Sequence, residues 1–188
     1  TDLIIKDNDL VASTSGRGFW ILDDLGGLQQ GKGQLDSVQI ALIQPKPTHK
    51  FVFGGGGGPT NGINPLVGVT IDYYLPHDVK PSDTLELTIL NEFGDAIRSY
   101  TSIKDETFQS WPGGPVPKQV LPMGKGMNRF NWDLRREEIP SIEGVFVFGS
   151  PVGAMVGPGT YRAQLSYKGQ VQEQMIEVLA DPRIDATE

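Results

Sequence analysis

The sequence predicts an all-β protein, an immunoglobulin-like antiparallel β-sandwich preceded by a short β-meander. Apolar and polar residues alternate in several short runs, which is the side-chain period of a half-buried strand. The 24 glycines and 14 prolines are spread along the 188 residues, which favours many short strands joined by turns. No run has a convincing amphipathic helical pattern, and about seven to nine strands suit a sandwich of this size.

The composition excludes several classes of function. The net charge is −7, whereas a face that binds nucleic acid or anionic membranes needs an excess of basic residues. The chain has no cysteine, which excludes disulfides, cysteine metal sites and thiol catalysis. No apolar run approaches the ~18 residues of a membrane span. We therefore expect neither nucleic acid nor a membrane as a partner.

Residues 1–25 predict three antiparallel strands. Turn signals at residues 7–9 (Asp-Asn-Asp) and 16–18 (Gly-Arg-Gly) separate the runs DLIIK, LVASTS and FWILDDL. Residues 19–22, Phe-Trp-Ile-Leu, are the most apolar short run in the first third of the chain. The apolar neighbours of Trp20 predict a core position, and we expect this run to pack on the sandwich or on a second copy of the chain.

Residues 26–36 (GGLQQGKGQLD) predict a linker between the meander and the sandwich. The sandwich is expected at residues 37–183, with a tail at residues 184–188. Its first strand is expected within residues 38–47, where two prolines end it. Five glycines at residues 54–58 predict a flexible surface loop, because the Gly-Lys-Ser/Thr ending of a phosphate loop is absent and no helical pattern follows.

The middle of the chain contains the clearest strand patterns. Residues 65–75 predict a strand whose alternating apolar positions are Val67, Val69, Ile71 and Tyr73. Residues 85–102 predict a hairpin that turns at residues 91–95. Each of these strands has one apolar face and one polar face, as an antiparallel sheet with one wet side requires.

Two more strand regions follow a long connection at residues 109–127, which is rich in proline and glycine. In residues 128–135 the apolar face consists of Phe130, Trp132 and Leu134, and we expect it to line the core. The last region, residues 159–181, predicts a hairpin with its turn at Lys168-Gly169 and with Tyr161 directed inward.

The sequence contains no recognisable catalytic motif. His49 and His77 lie in separate polar loops without a second ligand at metal spacing, and they are interpreted as exposed loop residues. The G-x-S-x-G pattern of a nucleophile elbow is absent. We therefore predict no catalytic residue, no cofactor and no metal site.

Carboxylates occur in adjacent pairs, interpreted as solvated charges of turns and strand ends. The pairs are Asp23-Asp24, Asp105-Glu106 and Glu137-Glu138. A glycosidase needs two carboxylates that face each other, and adjacent strand residues point to opposite faces. The alternative for Asp23 and Asp24 is Ca²⁺ binding with the turn at residues 7–9, although the spacing of a calcium loop is absent.

Aromatic residues are the candidates for a sugar-binding platform, since flat rings stack on pyranose faces. Trp111 precedes Pro-Gly-Gly and is the aromatic most expected to be exposed. Tyr74 and Tyr100 are the further possible ligand contacts, and Tyr73 is a weaker candidate. An enzymatic alternative would need an arginine cluster, for which only Arg129, Arg135 and Arg136 are close in sequence; a charged strand face is favoured for them.

Several segments, in order over nearly the whole chain, resemble one known arrangement. NDLVASTSGRGFWILDDL (8–25) is similar to the last propeller strands of bacterial sortilin-like proteins with BNR-repeat β-propellers. The later segments resemble the FlgD-type immunoglobulin-like domain that follows those propellers. They are NPLVGVTIDYYL (64–75), LELTILNEFGDAIRS (85–99), GMNRFNWDLR (126–135), GPGTYRAQLSYKGQ (157–170) and ADPR (180–183).

The resemblance implies that residues 1–25 are the closing strands of a truncated propeller and that residues 126–135 hold a central strand of the sandwich. Ser15 stands where the family often has histidine, and the Asp-box signature S-x-D-x-G-x-T-W is absent. Such proteins are often labelled glycosyl hydrolases, but that label would belong to the propeller.

From the resemblance we expect a non-catalytic accessory and interaction module of a secreted or periplasmic protein. Its expected partner is the propeller, with a glycan or another protein as further possibilities and with self-association through the N-terminal strands. The alternative is a carbohydrate-binding module of a glycoside hydrolase system, in which Trp111, Tyr74 and Tyr100 would contact the sugar.

Overall fold

The computed structural model of the chain describes residues 1–31, 39–51, 65–80, 82–149 and 151–184. Within these ranges the chain forms eleven strands and one short helix, which share the following bounds in chain order. They are β1 (Asp2–Lys6), β2 (Asp9–Ser13), β3 (Phe19–Leu22), α1 (Gly26–Gly31), β4 (Ala41–Leu42), β5 (Thr48–His49), β6 (Val69–Leu75), β7 (Leu85–Leu90), β8 (Ala96–Thr101), β9 (Gly126–Trp132), β10 (Gly159–Tyr167) and β11 (Gln170–Leu179). The predicted glycine loop, the linker from residue 32 and the tail from residue 185 lie outside the described residues.

The first three strands form a separate antiparallel sheet, in the order β1-β2-β3, which we call the N-terminal sheet. Asp7 and Asn8 have φ values of 50° and 68°, as a tight two-residue hairpin turn requires. The backbone N–H of Thr14 donates to the carbonyl of Gly18 at 3.1 Å and closes the second turn. The predicted meander is confirmed.

The remaining strands form two sheets that pack face to face. The larger sheet has the order β5-β11-β10-β7-β8, and the smaller has the order β4-β6-β9. All pairs in them are antiparallel except the short contact of β5 with β11. The chain is therefore an immunoglobulin-like antiparallel β-sandwich preceded by a short meander, as the sequence predicts.

The core lies between the two sheets and follows the predicted alternation. In β7 the buried residues Leu85, Leu87 and Ile89 alternate with exposed or half-buried ones. Trp132 is fully buried, and its ring packs edge-on against Tyr161 at a centroid distance of 5.5 Å. Burying side chains of this kind contributes on the order of 2 kcal/mol each, which makes this interface the main source of stability.

Three sequence predictions about elements are wrong in detail. The strand expected within residues 38–47 shrinks to the two residues of β4. The strand at residues 126–132, expected to be central, lies at an edge of the smaller sheet, with β6 at the centre. Residues 26–31 of the expected linker form α1.

Local hydrogen bonds explain why a glycine-rich run becomes helical. The Asp24 side chain accepts from the backbone N–H of Gly26 at 2.9 Å, as a helix-capping residue does. The Gln30 side chain both donates to and accepts from the backbone of Gln44, at 3.0 Å each. Contacts distant in sequence thus hold α1, and apolar periodicity could not predict it.

Candidate functional site

The three predicted ligand-contact aromatics do not form one platform. Tyr100 is only 5% exposed, so the expectation that it offers a ring face to a sugar is wrong. Tyr74 is half-buried on β6. Trp111 is half-buried, and its indole N–H donates to the carbonyl of Val145 at 3.0 Å. Gly114 lies against the Trp111 ring, since a Cβ added there would be 2.5 Å from it.

A groove follows the outer edge of β8 and is the largest concavity among the described residues. Its two parts have volumes of about 780 Å³ and 600 Å³. Phe108, Pro115, Lys118, Glu137 and Glu138 line both parts, so the parts are continuous. One wall comes from the connection at residues 103–120 and the other from residues 137–143. We call this feature the β8 groove.

The backbone of β8 is only partly covered at this edge. The carbonyl of Ile97 accepts from the N–H of Glu137 at 2.8 Å, and the carbonyl of Thr101 accepts from the N–H of Leu121 at 3.0 Å. Between them, the N–H of Ser99 meets the Glu137 carboxylate at 3.5 Å, the outer limit of a hydrogen bond. Ser99 therefore presents a weakly satisfied backbone to the groove.

Ion pairs organise the floor of the groove. The Arg98 side chain is 11% exposed, lies 3.6 Å from Glu138 and 3.7 Å from Asp133, and donates to the carbonyl of Arg136 at 3.0 Å. Desolvation raises the pKa of Glu137, but the hydrogen bond and charge of Lys118 at 3.0 Å outweigh it, so the pKa lies below its usual range. Sequence reasoning missed Arg98, because no local pattern shows that a strand cation faces the sandwich interior.

The hydroxyl of Tyr100 is buried beside this groove without a hydrogen-bond partner. Burial raises the pKa of Tyr100 well above its ordinary value, so the phenol is neutral at physiological pH. The Tyr100 ring packs edge-on against Phe130 at 4.6 Å and lies 5.1 Å from the Arg98 guanidinium. A buried polar atom left unpaired is an exception that needs an explanation.

The N-terminal sheet is the second candidate site. The apolar side chains of its outer strands are 49–76% exposed, and they are Leu3, Ile4, Ile5, Phe19, Trp20, Ile21 and Leu22. Successive strand residues point to opposite faces, so both faces of this sheet are uncovered. The predictions that Trp20 is a core residue and that this run packs on the sandwich are wrong. Packing on a second copy remains a prediction.

Arg129 joins the N-terminal sheet to the sandwich. Its guanidinium forms a bidentate pair with the carboxylate of Asp72, at 2.8 Å for both bonds. It also donates to the backbone carbonyls of Asp23 at 2.9 Å and Asp24 at 3.1 Å. The hydrogen bond with Asp72 raises the pKa of Arg129 above its ordinary value. We call these four residues the Arg129 clamp.

The predicted arginine cluster is divided among separate contacts. Arg129 belongs to the clamp, whereas the Arg135 guanidinium donates to the carbonyl of Gly153 at 2.9 Å. Asp72 lies directly opposite Arg129 in the β6–β9 register. A cross-strand charge pair is thus the sequence signal, but it requires knowing the register in advance.

The acidic turns and histidines serve structural contacts. The Asp24 carboxylate accepts from the Asn8 side chain at 2.9 Å, and Asp9 accepts from the N–H of Asp24 at 2.8 Å. His49 is half-buried in β5, where its Nδ1 lies 2.8 Å from the carbonyl of Ala180, so the prediction that it is an exposed loop residue is wrong. His77 is exposed, as predicted. The part of the chain that the structure describes holds no group of three or more metal-binding side chains.

Comparisons with known proteins give no further identification. No protein-family model matches the chain, and no curated protein matches it significantly. In the described ranges, no helix has both the length and the apolar character needed to cross a bilayer.

Proposed function

We propose that the chain is a non-catalytic immunoglobulin-like accessory module that docks to another β-rich body through its N-terminal sheet. The observation that carries this proposal is the exposure of seven large apolar side chains on both faces of that sheet. A contiguous apolar surface of this kind marks an interaction site more often than a solvated face.

The free edges of the N-terminal sheet support the same proposal. Within the described residues, β1 and β3 each pair on one side only, so each leaves a row of backbone groups without a neighbouring strand. Exposed, apolar edge strands promote pairing with another chain or domain. The Arg129 clamp and the hydrogen bond from the N–H of Leu25 to the carbonyl of Asn8, at 2.8 Å, hold the sheet in a defined orientation.

The resemblance of residues 8–25 to closing propeller strands suggests the identity of the docking body. We propose a BNR-repeat propeller of the sortilin-like type, in a secreted or periplasmic protein. Blades with Asp boxes encoded upstream of Thr1 are the expected finding, and a start codon directly at that position would overturn this part of the proposal.

A binding experiment tests the docking role. The propeller, expressed separately, should bind the chain and shift the fluorescence of Trp20 to shorter wavelength, because the indole becomes buried. Trp20→Asp should abolish binding, while Phe93→Asp, at an 82% exposed turn position in the β7–β8 hairpin, should not. Equal binding by both variants would contradict the proposal.

Carbohydrate binding remains the alternative and has less support. Trp111 lines the β8 groove, but Tyr74 does not, and Tyr100 is buried. Titration with soluble oligosaccharides at millimolar concentration tests this alternative, which requires saturable binding that Trp111→Ala removes.

A further inference from the structure

We propose that the β8 groove binds an extended peptide segment that carries basic side chains. This site shares no residue with the N-terminal sheet, so the inference is independent of the docking role proposed above. Four features of the groove support it: its length, its open backbone edge, its charge and a buried hydroxyl without a partner.

The length of the groove suits a short extended chain. Its two continuous parts, of about 780 Å³ and 600 Å³, lie within the range of known ligand pockets. The exposed edge from Ile97 to Thr101 spans about 13 Å, at ~3.3 Å per residue. A peptide of about five residues can therefore occupy the groove with its backbone parallel to the strand axis.

The backbone edge supplies hydrogen bonds that a peptide can use. Ile97 and Thr101 already have partners from covering segments, whereas Ser99 between them has only the long contact with Glu137. Strand addition to an open edge is a recurrent mode of peptide recognition. A peptide carbonyl placed opposite the Ser99 N–H would take the position that the Glu137 carboxylate now occupies at 3.5 Å.

The charge of the lining selects basic side chains. Six carboxylates line the groove against three basic side chains, Arg98, Lys104 and Lys118. Each of the three basic groups is within 4 Å of a carboxylate. Glu86 and Glu143 have no ion-pair partner among the described residues, so these two charges are available to a ligand.

Tyr100 gives the independent sign of a ligand. It lines the groove, is 95% buried, and its hydroxyl has no hydrogen-bond partner. Such an atom carries a desolvation cost that a bound molecule can relieve. A peptide amide or a basic side chain can donate to this oxygen.

Other ligand classes fit less well. A sugar platform needs open aromatic faces, and Gly114 covers part of the Trp111 ring. A nucleic acid would meet an excess of negative charge. A peptide alone uses both the open edge of β8 and the unpaired carboxylates.

The proposal is tested by NMR titration of the ¹⁵N-labelled chain with two blocked pentapeptides, Val-Lys-Val-Lys-Val and Val-Glu-Val-Glu-Val. The basic peptide should give saturable shifts that include the amide of Ser99, and the acidic peptide should give none. The double variant Glu86→Lys/Glu143→Lys should weaken binding about tenfold, since it reverses two unpaired lining charges.

The matched control is Glu177→Lys, an exposed position on the solvent side of β11, three strands away from β8. It should leave the affinity unchanged. Ser99→Pro removes the outward N–H and should also weaken binding; if it fails to fold, the charge variants alone decide. Absence of saturable binding at millimolar peptide, equal binding of the acidic peptide, or shifts of the groove amides by cellohexaose instead would overturn the proposal.

Discussion

At the residue scale, Tyr100 shows how a strand pattern conceals an exceptional side chain. Its position in the β8 alternation places it opposite Leu87, on the buried face. Its hydroxyl is then enclosed without a hydrogen-bond partner. The Tyr161 hydroxyl, in contrast, donates to the carbonyl of Gly157 at 2.9 Å. The two tyrosines therefore form a natural comparison of a paired and an unpaired phenol.

Tyr100→Phe should leave the free energy of unfolding unchanged or raise it by about 1 kcal/mol, because it removes a buried polar atom without a partner. Tyr161→Phe should lower it by about 1 kcal/mol, because the Gly157 carbonyl loses its donor. Urea unfolding of both variants measures the difference. A Tyr100→Phe variant as destabilised as Tyr161→Phe would show that the Tyr100 hydroxyl does form a hydrogen bond.

Gly68 is a second residue with a defined structural reason. Its φ is +127°, and an added Cβ would lie 2.0 Å from the carbonyl oxygen of Trp132. Gly68→Ala should therefore destabilise the protein by at least ~2 kcal/mol, through strain and a clash with the β9 backbone. Gly157→Ala is the control, because nothing lies within 4 Å of its added Cβ. Thermal unfolding should separate the two variants, and equal midpoints would contradict this assignment.

At the element scale, the sequence predicted the long strands and hairpins well. The β7–β8 and β10–β11 hairpins have their turns at the expected residues, because alternation and turn chemistry are both local properties. The edge position of β9 was not predictable, since strand order depends on contacts between distant segments. Both faces of β3 are apolar, and an apolar run alone does not reveal whether a partner covers it. The β8 groove escaped for the same reason: connections distant in sequence build its walls.

The Arg129 clamp is an arrangement between elements and gives a prediction at this scale. Arg129→Lys keeps the charge but loses the planar fork that joins Asp72 to the backbone of residues 23 and 24. The N-terminal sheet should then open more easily, by on the order of 1 kcal/mol after allowance for solvent screening at this partly exposed group.

Hydrogen exchange measures this opening. Amides of β2 should exchange about fivefold faster in Arg129→Lys, while amides of β7 and β10 keep their protection. Arg162→Lys is the matched control, because Arg162 has only a partly exposed pair with Glu173 at 3.6 Å. Unchanged exchange in β2 would show that the clamp does not hold the sheet.

At the scale of the whole molecule, the chain consists of a sandwich with its own core and a small sheet outside it. The core cluster begins at Ile40 and includes no residue of β1, β2 or β3. The sandwich should therefore fold without the N-terminal sheet, whereas the sheet alone buries too little apolar surface to be stable.

Deletion of residues 1–22 tests this division. The shortened chain should retain a cooperative thermal transition and the near-ultraviolet circular dichroism of buried Trp132, with a midpoint within a few degrees of the full chain. It should also bind less of a hydrophobic dye, because the exposed apolar strands are gone. Loss of cooperative unfolding would show that the meander is an integral part of the sandwich.

The Arg129 clamp also has a mechanical consequence. Tension applied to the N-terminal sheet reaches the sandwich through Asp23 and Asp24 and then through Arg129 and Asp72, on two paired strands. A few polar bonds at this junction would rupture before the long β10–β11 ladder, which pairs nine residues on each strand. The junction thus acts as a mechanical fuse: under force the sheet would detach as a unit, and the sandwich would remain folded.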